Sequence, residues 1–223
     1  MRIDPLPREE VIKALERRAP ARIPLIRAKW WGEGLREQYG ERLRHFDRYP
    51  EDVAWLWLDN PVDPGRMGLS WEWDLSGALD ARRVIDDWNK LDEFVEKLPR
   101  ADDDPRWEDL AALAEQARAE DRYLLFGWWN LFFEKPWMLR GMENLMCDYY
   151  EAPDNIHRLH GAMCDTYCDY IRTARDVLDP DGLWCSDDLG HQSGPMMSPD
   201  IFHQLIYPYY CRVGEALDEV LAA

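Results

Sequence analysis

The amino-acid sequence predicts an α/β fold in which parallel strands alternate with helices. Three observations lead there. Short apolar runs occupy residues 22–31, 52–59, 123–130 and 183–186, stretches with helical periodicity lie between them, and the runs end on polar or ionisable residues. Strand and helix in alternation imply parallel strands with right-handed crossovers. Functional groups in such folds collect at the carboxyl ends of the strands.

Residues 7–19 read as an opening helix, with Val11, Ala14 and Leu15 on one face and Pro20 as its stop. The run 22–31 (Arg-Ile-Pro-Leu-Ile-Arg-Ala-Lys-Trp-Trp) is the first predicted strand, with Pro24 near its start, where a missing N–H donor is tolerated. Residues 52–59 (Asp-Val-Ala-Trp-Leu-Trp-Leu-Asp) are apolar on both faces for six positions, as suits a strand covered on both sides. Residues 61–86 hold glycines without periodicity and read as an irregular excursion. Helical patterns dominate 86–120, broken at Asp102, Asp103 and Asp104, which read as a solvated acidic turn. A third strand spans 123–130. Helices at 135–148 and 154–178 follow, and 183–186 is the fourth strand. The last helix opens with Ser198 as N-cap and Pro199 in the first turn. It buries Ile201, Leu205, Tyr209, Val213, Leu217 and Leu221.

Composition narrows the function classes. With 44 acidic against 27 basic residues the net charge is −17, which disfavours nucleic acid and anionic membranes as partners. Up to Arg48 the balance reverses, 12 basic against 8 acidic, as a solvated basic helix would have. No run approaches the length of a membrane span and no signal-peptide core opens the chain, so a cytoplasmic protein is expected. Five cysteines without paired spacing fit reduced thiols. Twelve tryptophans fit either a packed core or an aromatic-walled pocket, because the indole N–H needs a partner wherever the ring is buried.

If the strands are parallel neighbours, their ends share one rim. That rim would gather Lys29, Asp59, Asn130 with Glu134 just beyond, Asp187, Asp188 and His191. Carboxylates so placed serve as general acid and base, and a nearby histidine shifts their pKa values. The plainer reading of Asp187 and Asp188 is that they cap a turn. His157, His160, Cys164 and Cys168 have helical spacing, but Ile156, Met163, Tyr167 and Ile171 share or border their face, so they read as core rather than as metal ligands. Gly-x-Gly-x-x-Gly, a Walker loop, Gly-x-Ser-x-Gly and His-Glu-x-x-His are all absent from the sequence.

Four stretches carry a family resemblance: residues 8–24, 127–130, 142–154 and, above all, 186–202 (Ser-Asp-Asp-Leu-Gly-His-Gln-Ser-Gly-Pro-Met-Met-Ser-Pro-Asp-Ile-Phe). In order and spacing the sequence resembles the uroporphyrinogen decarboxylase (URO-D) superfamily, which includes decarboxylases of heme biosynthesis and corrinoid-dependent methyltransferases. The resemblance implies a (β/α)8 TIM barrel, of which residues 1–223 would be a single URO-D-like domain. That domain would hold the N-terminal helix and about the first four βα units, the N-terminal half of the barrel. Open sheet edges in such a half-barrel favour aggregation or a homodimer.

The resemblance also implies roles. Asp59 matches the family's catalytic aspartate, and Asp188 and His191 join it as catalytic candidates. Lys29, Trp30, Trp129, Asn130 and Asp187 are the substrate-binding candidates. The family's arginine-rich loop is matched by residues 29–33, where Lys29 keeps one cation and Glu33 replaces the other, disfavouring a substrate with eight carboxylates. The family's tyrosine after the third strand falls at Phe133 or Glu134. The resemblance thus points to a corrinoid-dependent methyltransferase or an unassigned member acting on a small-molecule substrate or a corrinoid protein. The alternatives are a uroporphyrinogen decarboxylase and a binding module without turnover. No cofactor is expected within the chain. The methyltransferase zinc would be held by a His-x-Cys and a Cys beyond residue 223.

Overall fold

The computed structural model describes residues 3–26, 35–69, 72–73 and 82–221. In chain order its elements are α1 (Arg8–Leu15), α2 (Leu35–Tyr39), a 3-10 stretch (Gly40–Arg48), β1 (Val53–Trp57), β2 (Glu72–Trp73), β3 (Arg82–Arg83), α3 (Leu91–Glu96) and α4 (Arg106–Ala119). Then come β4 (Tyr123–Trp129), α5 (Glu134–Arg140), α6 (Met142–Glu151), α7 (Pro153–Leu178) and β5 (Gly182–Ser186). The hairpin strands β6 (Gly190–His191) and β7 (Gly194–Pro195), α8 (Pro199–Ile201), a π-helical stretch (Phe202–Ile206) and α9 (Tyr207–Leu221) complete it.

The fold is α/β. A three-stranded parallel sheet has the order β1-β4-β5, and β2-β3 and β6-β7 are small antiparallel pairs. Three of the four predicted parallel strands are therefore present. Of the first, residues 22–26 are irregular, and the remainder of 22–31 lies outside the described residues. Within it Ile23 and Ile26 are exposed. Among the described residues no helix is long and apolar enough to cross a membrane.

The chain divides into two compact units. The first comprises Met1–Trp57, Glu108–Phe126 and Pro180–Leu183. Here a buried carboxylate does the work expected of a strand. Asp52 accepts the N–H groups of Leu6 at 2.8 Å and Leu25 at 2.6 Å and pairs with Arg22. Burial pushes the Asp52 pKa up, but Arg22 and the two N–H donors outweigh it and hold the group below its ordinary value. The segment 22–26 is thus tied to Asp52 by its carboxylate and by its backbone, the Asp52 N–H donating to Leu25 O at 2.9 Å. Leu6, Val11, Val53 and Tyr123 pack together beside it. α1 ends at Leu15, short of Pro20, because Arg17 takes a left-handed φ of 58° and the Arg18 N–H closes onto the Lys13 carbonyl at 2.7 Å.

The second unit comprises Leu58–Trp107, Gly127–Asp179 and Trp184–Ala223. Its core sets Trp128, Phe132 and Tyr167 in ring contact, and α7 buries Ile156, Leu159, His160, Met163, Cys164, Tyr167 and Ile171. His157, by contrast, is exposed, with its ring 2.8 Å from the Tyr209 hydroxyl. The predicted helix over 135–148 is two helices, since Gly141 adopts a φ of 79° between α5 and α6. The Ser198 side chain accepts the Ile201 N–H at 3.2 Å, the cap expected from the sequence.

The acidic turn needs correction at one position. Asp102 and Asp103 are exposed, but Asp104 turns inward to Arg106 and accepts the Tyr170 hydroxyl at 2.7 Å. Burial alone would raise its pKa, yet these partners lower it to about 2.

At Gly127 β5 leaves no room for a side chain on β4: a Cβ there would lie 1.8 Å from the Trp184 carbonyl oxygen. Gly127→Ala must push the strands apart. We expect a loss of about 3 kcal/mol, the upper end for overpacking, in urea unfolding.

His160 supplies a second prediction. It is fully buried, its Nδ1–H donates to the Leu205 carbonyl at 2.7 Å, and its Nε2 has no partner among the described residues. Burial pushes its pKa down to about 4. The unfolded chain binds that proton near pH 6.5 and the native state does not. Stability is therefore full above pH 6.5 and falls as pH drops toward 4, by about 3 kcal/mol at 1.4 kcal/mol per unit. His160→Asn, which keeps a donor near Nδ1 but does not titrate, should flatten this part of the urea-derived stability profile.

Candidate active site

β1, β4 and β5 run parallel, so their carboxyl ends lie at one edge of the sheet, and the residues following those ends belong to the second unit. Leu58 N–H donates to Gly127 O and Asn130 N–H to Ser186 O, both at 3.0 Å, carrying the register to the strand tips.

Asn60 ties two of the tips together. It is nearly buried; its Nδ2 donates to Trp129 O at 2.7 Å and to Asn130 O, and its Oδ1 accepts the Val62 N–H at 2.8 Å. The Tyr167 hydroxyl donates to the same Oδ1 at 3.3 Å. Both polar atoms of the Asn60 side chain are thereby used in holding the rim. Asn130 follows with a left-handed φ of 66°, a conformation that asparagine tolerates better than most residues and that turns the chain sharply out of β4. Assigned from its hydrogen-bonding surroundings, its amide nitrogen donates to the two Glu134 oxygens at 3.3 and 3.1 Å.

Asp187 follows β5 and reaches across to the start of α5. Its Oδ2 accepts the N–H groups of Phe132 and Phe133 at 2.7 Å and the Tyr210 hydroxyl at 2.8 Å, while Oδ1 accepts the Glu134 N–H at 2.7 Å. Phe133, at the N-cap position of α5, makes no side-chain cap bond. Asp187 supplies the cap instead, from more than fifty residues away. Burial pushes its pKa up, opposed by these four donors.

Glu134 is the group this arrangement perturbs usefully. Its pKa is raised to about 7, first by burial, then by the charges of Asp187 and Asp188; the Asp188 N–H and the charge of Lys135 oppose the rise. A carboxyl raised toward neutrality can give or take a proton, as a general acid–base requires. Lys135 is buried next to it, and desolvation lowers the Lys135 pKa against the charges of Asp63 and Glu134.

The candidates from the sequence are placed as follows. Asn130 and Asp187 meet at Glu134. Asp188 supplies its N–H and charge to Glu134, while its own exposed side chain is 3.4 Å from the Gly190 N–H. The Trp129 ring packs edge-on to Trp184, centroids 4.7 Å apart. The Asp59 carboxylate is exposed, 4.0 Å from Arg66, and it is the Asp59 carbonyl that is used, by Arg106 at 2.7 Å. His191 is exposed on the β6–β7 hairpin, its Nδ1 accepting the Ser193 N–H at 3.2 Å. Lys29 and Trp30 lie outside the described residues. Sequence reasoning read Tyr167 as core and did not single out Tyr210 or Lys135. Among the described residues no three His, Cys, Asp or Glu side chains are placed to share a metal ion. No protein-family model matches the chain, and no curated protein matches its sequence.

Proposed function

We propose that this protein is an enzyme of the URO-D superfamily type, built on the first half of a (β/α)8 plan, in which Glu134 moves a proton to or from a small-molecule substrate. The observation that carries this reading is the Glu134 carboxyl, raised to about 7 beside Asp187 and Asp188 at the carboxyl ends of parallel strands. Perturbed carboxylates at such a rim are the usual mark of acid–base chemistry.

Both reactions suggested by the resemblance need this proton. Methyl transfer from a corrinoid to a thiol releases the thiol proton, which ionised Glu134 can accept. Decarboxylation leaves a carbanion to be protonated, which neutral Glu134 can do. The Asn130 amide orients the carboxyl, and Asp187 fixes the turn that carries it. We favour methyl transfer to a small thiol, with a corrinoid or corrinoid protein as partner, because Glu33 disfavours a highly anionic porphyrinogen. Its five free cysteines agree with action in a reducing, cytoplasmic setting.

The test supplies methylcobalamin with a panel of thiols and zinc, following demethylation by absorbance, and separately uroporphyrinogen, following released carbon dioxide. Demethylation that Glu134→Gln abolishes supports methyl transfer, whereas carbon dioxide release would replace it with the decarboxylase. If neither rate exceeds that of Glu134→Gln, the enzyme reading falls and calorimetric binding of the same ligands tests the binding module.

A further inference from the structure

Away from the rim, an open cleft of about 260 Å3 lies between α7 and α9, lined by Cys168 together with two guanidiniums, Arg172 and Arg212, and four carboxylates, Asp165, Asp169, Glu215 and Glu219. Cys168 and Cys164 stand one turn apart on α7 with their sulfurs 3.9 Å apart. Each thiol also faces a carbonyl of α9: Cys164 Sγ is 3.6 Å from Tyr209 O and Cys168 Sγ is 3.8 Å from Arg212 O. Only Cys168 borders the cavity. None of these groups takes part in the acid–base arrangement at Glu134.

We propose that Cys168 is a site of thiol–disulfide exchange that takes a small cationic aminothiol from its disulfide. Three features combine. Cys164 can turn its S–H from the Tyr209 carbonyl to the Cys168 sulfur and so stabilise a thiolate there. That bond lowers the Cys168 pKa first, Arg172 and Arg212 add to it, and burial and Asp165 oppose it. The lining carries four negative against two positive charges, so it draws a cation and repels an anion. The cleft has room for a short aminothiol.

In the exchange the Cys168 thiolate attacks one sulfur of the reagent. The reagent's S–S bond breaks, a Cys168–sulfur bond forms, and the departing aminothiolate takes a proton from water. Cys164 does not resolve the adduct by closing a disulfide within α7. Side chains one helical turn apart have Cβ atoms about 5–6 Å apart, beyond the span of an unstrained disulfide.

The test exposes the folded chain at pH 7 to three short disulfides: cystamine (cationic), bis(2-hydroxyethyl) disulfide (neutral) and dithiodiglycolate (anionic). Peptide mapping follows each cysteine over time. Exposed Cys147 serves as the internal reference, because it senses the overall charge of the protein but not the cavity. Cys168 should react several-fold faster with the cation than with the anion, by a larger ratio than Cys147. The gap should shrink in salt, and dithiothreitol should remove the adduct. Cys164→Ala should slow the reaction several-fold and Cys164→Ser, which keeps a donor, should restore it, with near-UV circular dichroism reporting that both variants fold. Modification of Cys168 only after unfolding, or a charge preference no greater than that of Cys147, would overturn the proposal. Neither result depends on turnover, so the role of Glu134 stands or falls separately.

Discussion

Asp187→Ala is expected to lower the unfolding free energy by about 3–5 kcal/mol, the range for removing one partner of a buried charged network. Three N–H groups, those of Phe132, Phe133 and Glu134, lose their acceptor together with the Tyr210 hydroxyl. The turn is buried, Phe132 and Phe133 completely, so water cannot readily replace the carboxylate. Asp187→Asn keeps one oxygen but turns an amide N–H2 toward donors, and should fall between the alanine variant and wild type. Tyr210→Phe removes one of four donors and should cost about 1–2 kcal/mol. Urea unfolding monitored by tryptophan fluorescence measures all three. A loss under about 1 kcal/mol for Asp187→Ala would mean that the turn is held by something other than this carboxylate.

Glu134→Gln should separate stability from chemistry. Turnover should fall about 10²- to 10⁴-fold, the usual contribution of a positioned acid–base. Stability should instead rise at pH 8, because a carboxylate ionised beside Asp187 and Asp188 is replaced by a neutral amide. The pH dependence follows from the direction of the shift. Glu134 holds its proton to about pH 7 in the native state and only to its ordinary value near 4.5 when unfolded. Between these values the native state binds more protons, so Glu134 makes stability fall as pH rises, and the effect levels off above pH 7. The glutamine variant should lose that part of the slope. Carbon-13 NMR of labelled glutamate checks the premise: a midpoint near 4.5 would remove Glu134 as the proton carrier.

Much of the layout is local and was legible. Alternation and apolar runs located β1, β4 and β5 to within a residue or two. Ser198 and Pro199 marked the start of the last helix because capping depends on near neighbours. Where the reading failed, a distant group had replaced a local signal. Residues 22–26 have the composition of a strand but are irregular, held by the carboxylate and the N–H of Asp52. Asp104 sits in an acidic run that looks solvated until Tyr170, sixty-six residues on, reaches it.

The same division runs through the candidate site. Sequence by itself determined the α/β class, the parallel strand ends and the polar residues that follow them, because periodicity and capping are encoded within a few positions. Tertiary structure decided which of those residues meet. It turned the carboxylates of Asp59 and Asp188 and the ring of His191 to solvent, committed Asp187 to backbone N–H groups, and left Glu134 half-protonated near neutral pH. Burial and the distance to a like charge set a carboxylate's pKa, and both exist only once β4, β5 and α9 are packed.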